Sequence, residues 1–494
     1  MKIMFLCRGA EYLGVEALSA ALKANGHQTD LIFDPGFDDT FFFKAPFLKR
    51  FNNWPGLIER VKRFQPDILA VSSLTNTYPY IRELIRQIKE AYRCYVIIGG
   101  VHATAIPEYL LKEGLFDAVC VGEGDEAIVA LADHLAAEES PLTINNFCFV
   151  RDGAVIINPL SPLIEDLDKL PFPDKKLFYE AGAFSTTVTV LSGRGCPFGC
   201  TFCVNDNNRR LYKGKGHYVR QYSPQRMVEE LEWLMQELPI RSFNFQDDIL
   251  TMRVSWLEEF TALYRKKINR SFQCNVHPKF VNDDVARLLN EAGCDSVCMG
   301  VQSAVPQVRR QLMHRQESNE EIEEAFTVLK RYRLPVSLEY IFGLPGETLD
   351  EIKENFAFNR RLRPANTATF TLYPFPGTTI LEDLKSSGGI DAAYLESVYR
   401  GEGSYHYDSL LNLPDKLLSE AAADLMPILT KLPLSLGLLL FKLLARPGFG
   451  WLRTLVNLCF LPLNNFFQFK ERMGNYLRMY RCQRRQGFEM TAGS

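Results

Sequence analysis

Short apolar runs alternate with amphipathic stretches through the first 140 residues of the chain. Residues 11–25 and 79–91 place their apolar side chains three and four positions apart, the spacing of a helix with one buried face. Uninterrupted apolar runs separated by such helices predict a doubly wound parallel sheet that is buried on both faces. The runs are KIMFLC (2–7), TDLIF (29–33), ILAVSS (68–73), YVII (95–98) and AVCV (118–121).

A second series of apolar runs and helical patterns follows from about residue 186. Helical spacing is clearest at 224–237 and 319–332. Six strand–helix repeats predict a partial (β/α)6 TIM-like barrel with its site at the carboxyl ends of the strands. The runs are TVTVLS (187–192), SFNFQDD (242–248), FQCNVH (272–277), SVCMGVQS (296–303), VSLEYIFG (336–343) and TATFTLYPF (367–375).

The two series divide the chain into an α/β protein of several domains. We predict a Rossmann-like first domain over 1–145, a barrel over 186–385 and a helical C-terminal domain over 386–494. The intervening segment 146–185 is predicted to be a linker. Its core, LSPLIEDLDKLPFPDKKLF, is rich in Pro, Asp and Lys and has no sustained period.

The tail combines apolar and basic segments. LPLSLGLLLF (432–441) and TLVNLCFLPL (454–463) precede a basic stretch. One interpretation is a small helical domain that caps the barrel. The other is a peripheral membrane contact, because an apolar face with a basic flank suits a lipid surface. The basic stretch has a single acidic residue, Glu471, among Lys470, Arg472, Arg478, Arg481, Arg484 and Arg485.

Composition narrows the class of protein. A length of 494 residues exceeds one ordinary domain, and 47% hydrophobic with 23% charged residues is typical of a globular protein. The net charge of -3 predicts no nucleic-acid partner. The N-terminus, MKIMFLCRG, lacks the apolar core of an export signal, so we expect a cytoplasmic protein that reaches a membrane only through its tail. In a reducing compartment, clustered cysteines indicate a metal site rather than disulfides.

Three of the twelve cysteines lie within eight residues, in GRGCPFGCTFCVND (193–206). Cys196, Cys200 and Cys203 are one ligand short of a structural zinc site, which takes four. A cubane iron–sulfur cluster also prefers four thiolates. With three, one iron keeps an open position that a substrate or cofactor can bind, which is typical of a reactive site. Five of the other cysteines lie on or beside apolar runs and are expected to be buried thiols: Cys94, Cys120, Cys148, Cys294 and Cys298.

The spacing C-x3-C-x2-C, with Phe202 before the last cysteine, resembles the radical S-adenosylmethionine (SAM) superfamily. The resemblance covers residues 1 to about 380 and includes a cobalamin-binding domain before the barrel, as in class B radical SAM methyltransferases. Its barrel segments are SFNFQDD (242–248), CMGVQS (298–303), YIFGLPGET (340–348) and YPFPGT (373–378). Its first-domain segments are EYLGVEALSAALKANGH (11–27), IIGGVHATAIPE (97–108) and VGEGDEA (121–127).

The resemblance implies three cofactors: a 4Fe-4S cluster on Cys196, Cys200 and Cys203, SAM on its open iron, and cobalamin. An electron from the reduced cluster would cleave SAM to a 5′-deoxyadenosyl radical. Asp247 and Asp248 have an alternative role as a cap of the following helix. The implied SAM-binding residues are Phe202, Asp247, Gln302, Ser303, Gly343 and Pro345.

Many cobalamin proteins carry a D-x-H-x-x-G element whose histidine binds cobalt, and that element is absent here. We therefore expect cobalamin without a histidine ligand, with its lower face covered by residues 72–78 and His102 beside the corrin. Thr75, Asn76 and Tyr78 are the candidates closest to cobalt. The implied cobalamin-binding residues are Glu11, Tyr12, Leu13, Gly14, Ser73, Leu74, Thr75, Asn76, Tyr78, Gly99, Gly100, His102, Gly122 and Glu123.

The leading hypothesis is methyl transfer to an unactivated carbon of a hydrophobic small molecule, such as a lipid, terpenoid or tetrapyrrole. A radical cyclase, hydroxylase or rearrangement enzyme is the nearest alternative, and a methylthiotransferase-like modifier of RNA or protein is the next. A binding or scaffold protein is least expected, since an open cluster is hazardous to maintain without a use. The chemistry also requires a low-potential electron donor such as a flavodoxin or ferredoxin. No side chain is assigned a catalytic role.

Overall fold

The computed structural model describes residues 1–36, 53–403 and 416–450, with short helical pieces at 452–453, 455–456, 474–475 and 477–482. All five apolar runs of the first series are strands, and they pair in parallel in the order β2-β1-β3-β4-β5. Their bounds are β1 (Lys2–Arg8), β2 (Gln28–Asp34), β3 (Ile68–Ser72), β4 (Tyr95–Gly99) and β5 (Ala118–Cys120).

Helices cover both faces of this sheet, as the apolar runs predict. In the third helix, Ile81, Leu84, Ile85 and Ile88 are all buried. The strand order reverses between β1 and β3, and a crevice opens at the carboxyl ends of strands where such a reversal occurs. The helices are α1 (Leu13–Ala24), α2 (Trp54–Phe64), α3 (Tyr78–Ala91), α4 (Val101–Ala105), α5 (Pro107–Lys112) and α6 (Asp125–Ala136).

A β-hairpin extends the first sheet where the sequence analysis predicted only a linker over 146–185. β6 (Phe147–Arg151) and β7 (Ala154–Ile157) are antiparallel to each other, and β6 is antiparallel to β5. Asp152 and Gly153 both have left-handed φ values, 53° and 78°, as a two-residue hairpin turn requires. The Asp-Gly pair was the missed signal. The rest of the segment includes one helix, α7 (Lys175–Ala181).

The second sheet is a six-stranded parallel half-barrel in the order β15-β14-β13-β12-β11-β8, which confirms the predicted partial barrel. It begins with β8 (Thr187–Val190), and two short strands after it, β9 (Gly193–Arg194) and β10 (Arg220–Gln221), form a separate antiparallel pair. The other strands of the sheet are β11 (Ser242–Phe245), β12 (Ser271–Val276), β13 (Cys294–Gln302), β14 (Val336–Phe342) and β15 (Asn366–Thr371).

Four of the six barrel helices begin at a side-chain cap, at Ser223, Asn282, Ser318 and Thr348. Ser318 with Glu321 and Thr348 with Glu351 form capping boxes, in which each pair satisfies two backbone N–H groups. These caps fix where the chain turns after β13 and β14. The helices are α8 (Val204–Leu211), α9 (Pro224–Glu237), α10 (Val254–Lys267), α11 (Asp283–Ala292), α12 (Asn319–Arg331) and α13 (Leu349–Leu362).

The C-terminal part is helical, as predicted, and α16 packs on the outer strand of the half-barrel. Thr369 on β15 donates a hydrogen bond to the carbonyl oxygen of Ala423 at 2.6 Å. No helix among the described residues is long and apolar enough to cross a membrane. Residues 457–463, Lys470, Glu471, Arg472, Arg484 and Arg485 lie outside the described part. The helices are α14 (Thr379–Ser386), α15 (Ala392–Tyr399), α16 (Lys416–Leu429) and α17 (Leu434–Leu444).

A buried lysine connects the two sheets. The Lys175 ammonium, 1% exposed, donates to Glu11 at 2.9 Å, and it also contacts the Glu16 carboxylate and the carbonyl oxygen of Thr189. Glu11 and Glu16 belong to the first domain, whereas Thr189 lies on β8. Burial raises the pKa of Glu16, and the ammonium of Lys175 opposes that shift. The contact therefore holds two carboxylates and one barrel strand together in a buried region.

Lys175→Met should destabilise the protein strongly, because it leaves two buried carboxylates without their cation. Removal of one partner from a buried ion pair costs about 3–5 kcal/mol. We expect a clearly lower midpoint in thermal or urea unfolding. Lys176→Met is the matched control, since the neighbouring Lys176 side chain is 63% exposed. Equal stability of the two variants would contradict a stabilising role for the buried ammonium.

Candidate active site

The three clustered cysteines lie on one loop between β9 and α8, with Cys203 directly before the helix. The pairing of β9 with β10 holds the start of the loop, opposite Arg220 and Gln221. Gly195 has a φ of 88°, and a Cβ there would lie 2.2 Å from the carbonyl oxygen of Tyr218. Only glycine meets both constraints, so the loop can follow this path because residue 195 has no side chain.

Hydrogen-bond donors are directed at the sulfurs. The backbone N–H of Phe198 interacts with Cys196, and the Asn205 amide nitrogen Nδ2 lies 3.8 Å from Cys203 Sγ. The Arg315 guanidinium interacts with Cys200. Burial raises the pKa of Cys196 to about 12 and that of Cys203 to about 11, while these donors oppose the shift. Metal binding must therefore displace protons, and the donors favour the thiolate that results.

The donor set fits a polynuclear cluster better than a single ion. Within the described residues, no three His, Cys, Asp or Glu side chains converge as one metal ion would require. In an iron–sulfur cluster each thiolate binds a different iron, so three sulfurs from one loop need not meet at a point. Cys196, Cys200 and Cys203 would hold such a cluster, while Cys148 and Cys294 are buried elsewhere, as predicted. Cys94, Cys120 and Cys298 are half-buried.

An ionic and aromatic network that the sequence analysis missed supports the tip of the loop. Arg315 donates to the carbonyl oxygen of Gly300 at 2.9 Å and pairs with Glu317. Glu317 lies 3.6 Å from His277, whose ring stacks on Phe198 at 4.2 Å between centroids. The network joins the cysteine loop to the ends of β12 and β13. The local sequence shows only the pair of Arg315 with Glu317, whereas the contacts with Gly300 and Cys200 come from distant segments.

Asp247 lies at the carboxyl end of β11, on the same edge as the cysteine loop. Its carboxylate accepts hydrogen bonds from the backbone N–H of Ser192 at 2.9 and 3.0 Å and from the Ser192 hydroxyl at 2.8 Å. The alternative role as a helix cap is wrong, because α10 begins after Arg253. The neighbouring Asp248 accepts from Asn205 at 2.9 Å. Asp247 thus positions the turn into the cysteine loop, and its contact with SAM stays a prediction.

The other predicted SAM-binding residues follow β13 and β14. Gln302 has a left-handed φ of 65° at a bulge in β13, a conformation that costs energy outside glycine. Ser303 is buried and accepts from the N–H of Val305 at 3.2 Å. Gly343 donates its N–H to Glu347 at 2.9 Å. The remaining two, Pro345 and Phe202, are half-buried, and Phe202 packs against an apolar cluster around Ile341.

In the first segment predicted to bind cobalamin, residues 11–14, two side chains contact other parts of the protein and two positions are open to a ligand. Glu11 is committed to Lys175, and the Tyr12 hydroxyl donates to the carbonyl oxygen of Arg8 at 3.1 Å. Leu13 is half-buried, and a Cβ built on Gly14 meets nothing within 4 Å. Leu13 and Gly14 are therefore the members of this segment that offer open surface to a ligand.

The loop after β3 has one exposed side chain. Thr75 and Tyr78, predicted to lie closest to cobalt, are 2% and 0% exposed, as is Ser73 at 1%, whereas Leu74 is 38% exposed. Asn76 is half-buried, and its oxygen Oδ1 is buried without a hydrogen-bond partner. The Asn76 oxygen without a partner and the exposed Leu74 fit a ligand that supplies both a hydrogen-bond donor and apolar surface.

His102 is enclosed within the first domain. Its Nδ1 lies 3.2 Å from the Thr75 hydroxyl, and its ring packs on Tyr78 at 4.7 Å between centroids. Burial lowers the pKa of His102 to about 3, and the backbone of Tyr399 opposes only part of that shift. His102 is therefore neutral, and it supports the loop after β3 from behind.

Ion pairs connect the first domain to the start of the cysteine loop. Arg194 donates to both oxygens of Asp125, at 2.8 and 2.9 Å, and to Glu123 at 3.0 Å. Arg220 also binds Glu123. Burial alone would raise the pKa of Asp125, but the Arg194 guanidinium lowers it below its usual range. The arginine two residues before Cys196 thus fixes the loop against α6.

The side chain of Tyr212, from the barrel, packs against Gly122 in the turn after β5. A Cβ on Gly122 would lie 2.1 Å from the Tyr212 hydroxyl, which accepts the N–H of Glu123 at 2.7 Å. These contacts occupy Gly122 and Glu123, so a cofactor contact at either residue requires an exchange of partners and stays a prediction. Gly99 and Gly100 lie at the next strand end, where a Cβ on Gly100 would lie 3.0 Å from the carbonyl oxygen of Ser73.

Two adjoining cavities of about 300 Å³ each lie between the facing edges of the two sheets. Both are lined by Gly100, Gly122, Gly193 and Arg194. One extends to Asn205 and Asp248 beside the cysteine loop, and the other to Leu13, Gly14 and Lys175. The loops predicted to bind cobalamin and the loop predicted to bind the cluster therefore line one continuous crevice.

Family models match both halves of this arrangement. Residues 10–132 match the B12 binding domain, and residues 190–358 match the radical SAM superfamily. An uncharacterized methyltransferase of Pyrococcus horikoshii is 29% identical over 65% of this chain and 70% of its own. An anaerobic magnesium-protoporphyrin IX monomethyl ester cyclase of Cereibacter sphaeroides is 24% identical over 71% of this chain and 58% of its own.

The fold is also that of a solved radical SAM methyltransferase, TsrM from Kitasatospora setae, with tryptophan substrate and a SAM analogue bound. The TM-score is 0.63 at 17% identity, over 79% of this chain and 77% of that one. A parallel first sheet, a half-barrel and a cysteine loop between them define a two-domain radical enzyme. The chain belongs to the radical SAM proteins that carry a B12-binding domain, and it is a cobalamin-dependent radical SAM enzyme. Its cofactors are a 4Fe-4S cluster, SAM and cobalamin.

Replacement of His102 should make the free energy of unfolding less dependent on pH in acid solution. The unfolded chain protonates this histidine near its ordinary pKa, about 6.5, whereas the folded chain does so only near pH 3. Stability is therefore complete above pH 6.5 and falls by about 1.4 kcal/mol per pH unit below it. His102→Gln should remove that slope in urea unfolding between pH 7 and pH 5. His217→Gln, at a side chain 87% exposed, should not; an unchanged slope for His102→Gln would contradict the assignment.

Proposed function

We propose that the enzyme transfers a methyl group to an unactivated carbon of a hydrophobic small molecule. The observation that carries the proposal is a continuous crevice lined by Leu13, Gly14 and Gly100 of the predicted cobalamin residues and, on its other side, by Asp247 and by Gly195 of the cysteine loop. The cluster, SAM and cobalamin supply the radical and the methyl group. A substrate carbon in this crevice would face both the SAM side and the cobalamin side, as methyl transfer requires. The relative from Pyrococcus horikoshii is named a methyltransferase.

The residues of this chain would bind, orient and shield. Cys196, Cys200 and Cys203 would hold the cluster, with Asn205 and Arg315 as donors to its sulfurs. The six residues predicted to bind SAM lie at the ends of β11, β13 and β14 and beside the cluster. Cobalamin would rest on Leu13, Gly14, Leu74, Asn76 and Gly100. The other residues predicted to bind cobalamin would support these five from within the first domain.

The ion pairs at the domain junction would keep the crevice closed to water. Arg194 pairs with Asp125 across the two domains, and Lys175 joins Glu16 of the first domain to the carbonyl oxygen of Thr189 on β8; both cations line one of the cavities. A radical that reached water would be lost, so exclusion of solvent is part of the protein's task. The partners we propose are a low-potential donor such as flavodoxin or ferredoxin and a lipid-, terpenoid- or tetrapyrrole-like substrate, in the cytoplasm.

A radical cyclisation without methyl transfer is the second candidate. The similarity to the magnesium-protoporphyrin ester cyclase over 71% of this chain favours it. Both reactions would use the same crevice. They would differ in whether the substrate radical takes up a methyl group or closes a ring within the substrate. Such a choice depends on side chains that vary among proteins sharing a fold.

Cys200→Ala should abolish cluster assembly. The purified wild-type protein, kept without oxygen, should contain about four irons per chain, and the variant should lose most of that iron and all SAM cleavage. Cys94→Ala is the control, because Cys94 is a half-buried thiol in the first domain. Iron content and the spectrum of the reduced cluster give the readout. Normal SAM cleavage by the Cys200 variant would exclude the cluster site.

The SAM-derived products should separate the two reactions. Methyl transfer should release S-adenosylhomocysteine and 5′-deoxyadenosine in equal amounts per turnover. Cyclisation should release 5′-deoxyadenosine alone. The assay supplies the reduced holoenzyme with tetrapyrrole esters and polycyclic terpenoids and quantifies both products by mass spectrometry. Turnover with 5′-deoxyadenosine as the single product would exclude methyl transfer in favour of the cyclase.

A further inference from the structure

The charge of this chain is divided sharply between its two parts. Residues 425–494 contain ten basic and two acidic residues, which leaves 46 basic and 57 acidic residues in 1–424. No acidic residue occurs between Asp424 and Glu471. The net charge of -3 therefore conceals a strongly basic C-terminal part on an acidic enzyme.

Helix α17 presents a row of leucines to solvent. Leu436, Leu439 and Leu443 are 43%, 65% and 44% exposed, and their spacing of three and four residues places them on one face. The opposite face is buried, with Phe441 against Phe356 of α13 at 5.2 Å between ring centroids. An ordinary globular surface leaves single leucines exposed, whereas a row of three on one helix marks a contact surface.

The length of α17 suits a helix that lies on a membrane. Eleven residues span about 16 Å at 1.5 Å per residue, and the apolar core of a bilayer is about 30 Å thick. The exposed Lys442 and Arg446 flank the leucine row on the same side of the helix. An apolar face beside lysine and arginine is the pattern of helices that rest at the lipid headgroups.

A cationic cavity of about 370 Å³ lies next to the start of α17. Its lining includes Arg360, Arg363 and Lys431. Arg360 is held by the carbonyl oxygens of Thr430 and Lys431, at 3.0 and 3.1 Å. Arg363 is exposed and makes no ion pair within the described part of the chain. The cavity therefore offers positive charge to an anion close to the start of α17, because Lys431 in its lining lies three residues before Leu434.

We propose that this surface, formed by Leu436, Leu439 and Leu443 with Arg363 and Lys442, docks the enzyme on an anionic phospholipid bilayer. The leucines would enter the headgroup region, and the cations would bind lipid phosphates. A second copy of the chain fits poorly, because its identical basic surface would repel the first. The proposal deepens the proposed function by naming the bilayer as the source of a hydrophobic substrate.

Vesicle flotation of the full-length holoenzyme tests the proposal. The protein should float with vesicles of phosphatidylcholine and phosphatidylglycerol, and binding should weaken at least about tenfold with phosphatidylcholine alone or in high salt. The triple variant L436S/L439S/L443S should bind at least about tenfold more weakly. The matched control is V150S/I157S, since these side chains are 44% and 58% exposed on the distant β6–β7 hairpin. Its binding should equal that of the wild type.

R363Q/K442Q is the second variant, and it tests the surface even if the leucine variant fails to fold. It should lose the preference for phosphatidylglycerol while its iron content and unfolding midpoint stay unchanged. Equal flotation of wild type and both variants, or no flotation at all, would overturn the proposal. So would a wild-type dimer that becomes monomeric in L436S/L439S/L443S, which would assign the face to a second copy. SAM cleavage in detergent-free solution reports on the proposed function separately.

Discussion

The opposition of two parallel sheets, carboxyl edge to carboxyl edge, is the constraint on which the rest of this structure depends. Two ion-paired groups maintain it: Lys175 with Glu11 and Glu16, and Arg194 with Asp125 and Glu123. Since strand ends expose backbone and small side chains, two such edges that face each other leave room between them for large cofactors. The second group ties the start of the cysteine loop to the first domain.

The cysteine loop is held in position by side chains from both domains. Arg194 anchors its first residues, Asp247 fixes the turn at Ser192, and Arg315 reaches its middle from the far side of the barrel. Each of these side chains acts on the thiols through position or charge rather than by binding iron. A radical enzyme needs this rigidity, because a small displacement of a bound reactant costs much of the rate.

The basic C-terminal part has a different physical character from the enzyme it follows. Helix α16 belongs to the barrel, because it packs on β15 through Thr369 and Ala423. Helix α17 packs with one face and exposes the other, so the tail both caps the barrel and presents an apolar row. The two interpretations of the tail sequence are therefore compatible within the described residues.

The sequence by itself determined the class of fold and the cluster loop. Apolar runs and helical spacing are local properties, and three cysteines at fixed spacing predict cluster ligands wherever the loop lies. It did not reveal that β6 and β7 extend the first sheet, although Asp152-Gly153 marked their turn. Only the tertiary structure decided that Glu11 and Glu123 bind Lys175 and Arg194, and that Leu74 is exposed while Thr75 is buried. Such pairings join residues 70 to 160 positions apart, and no local pattern encodes them.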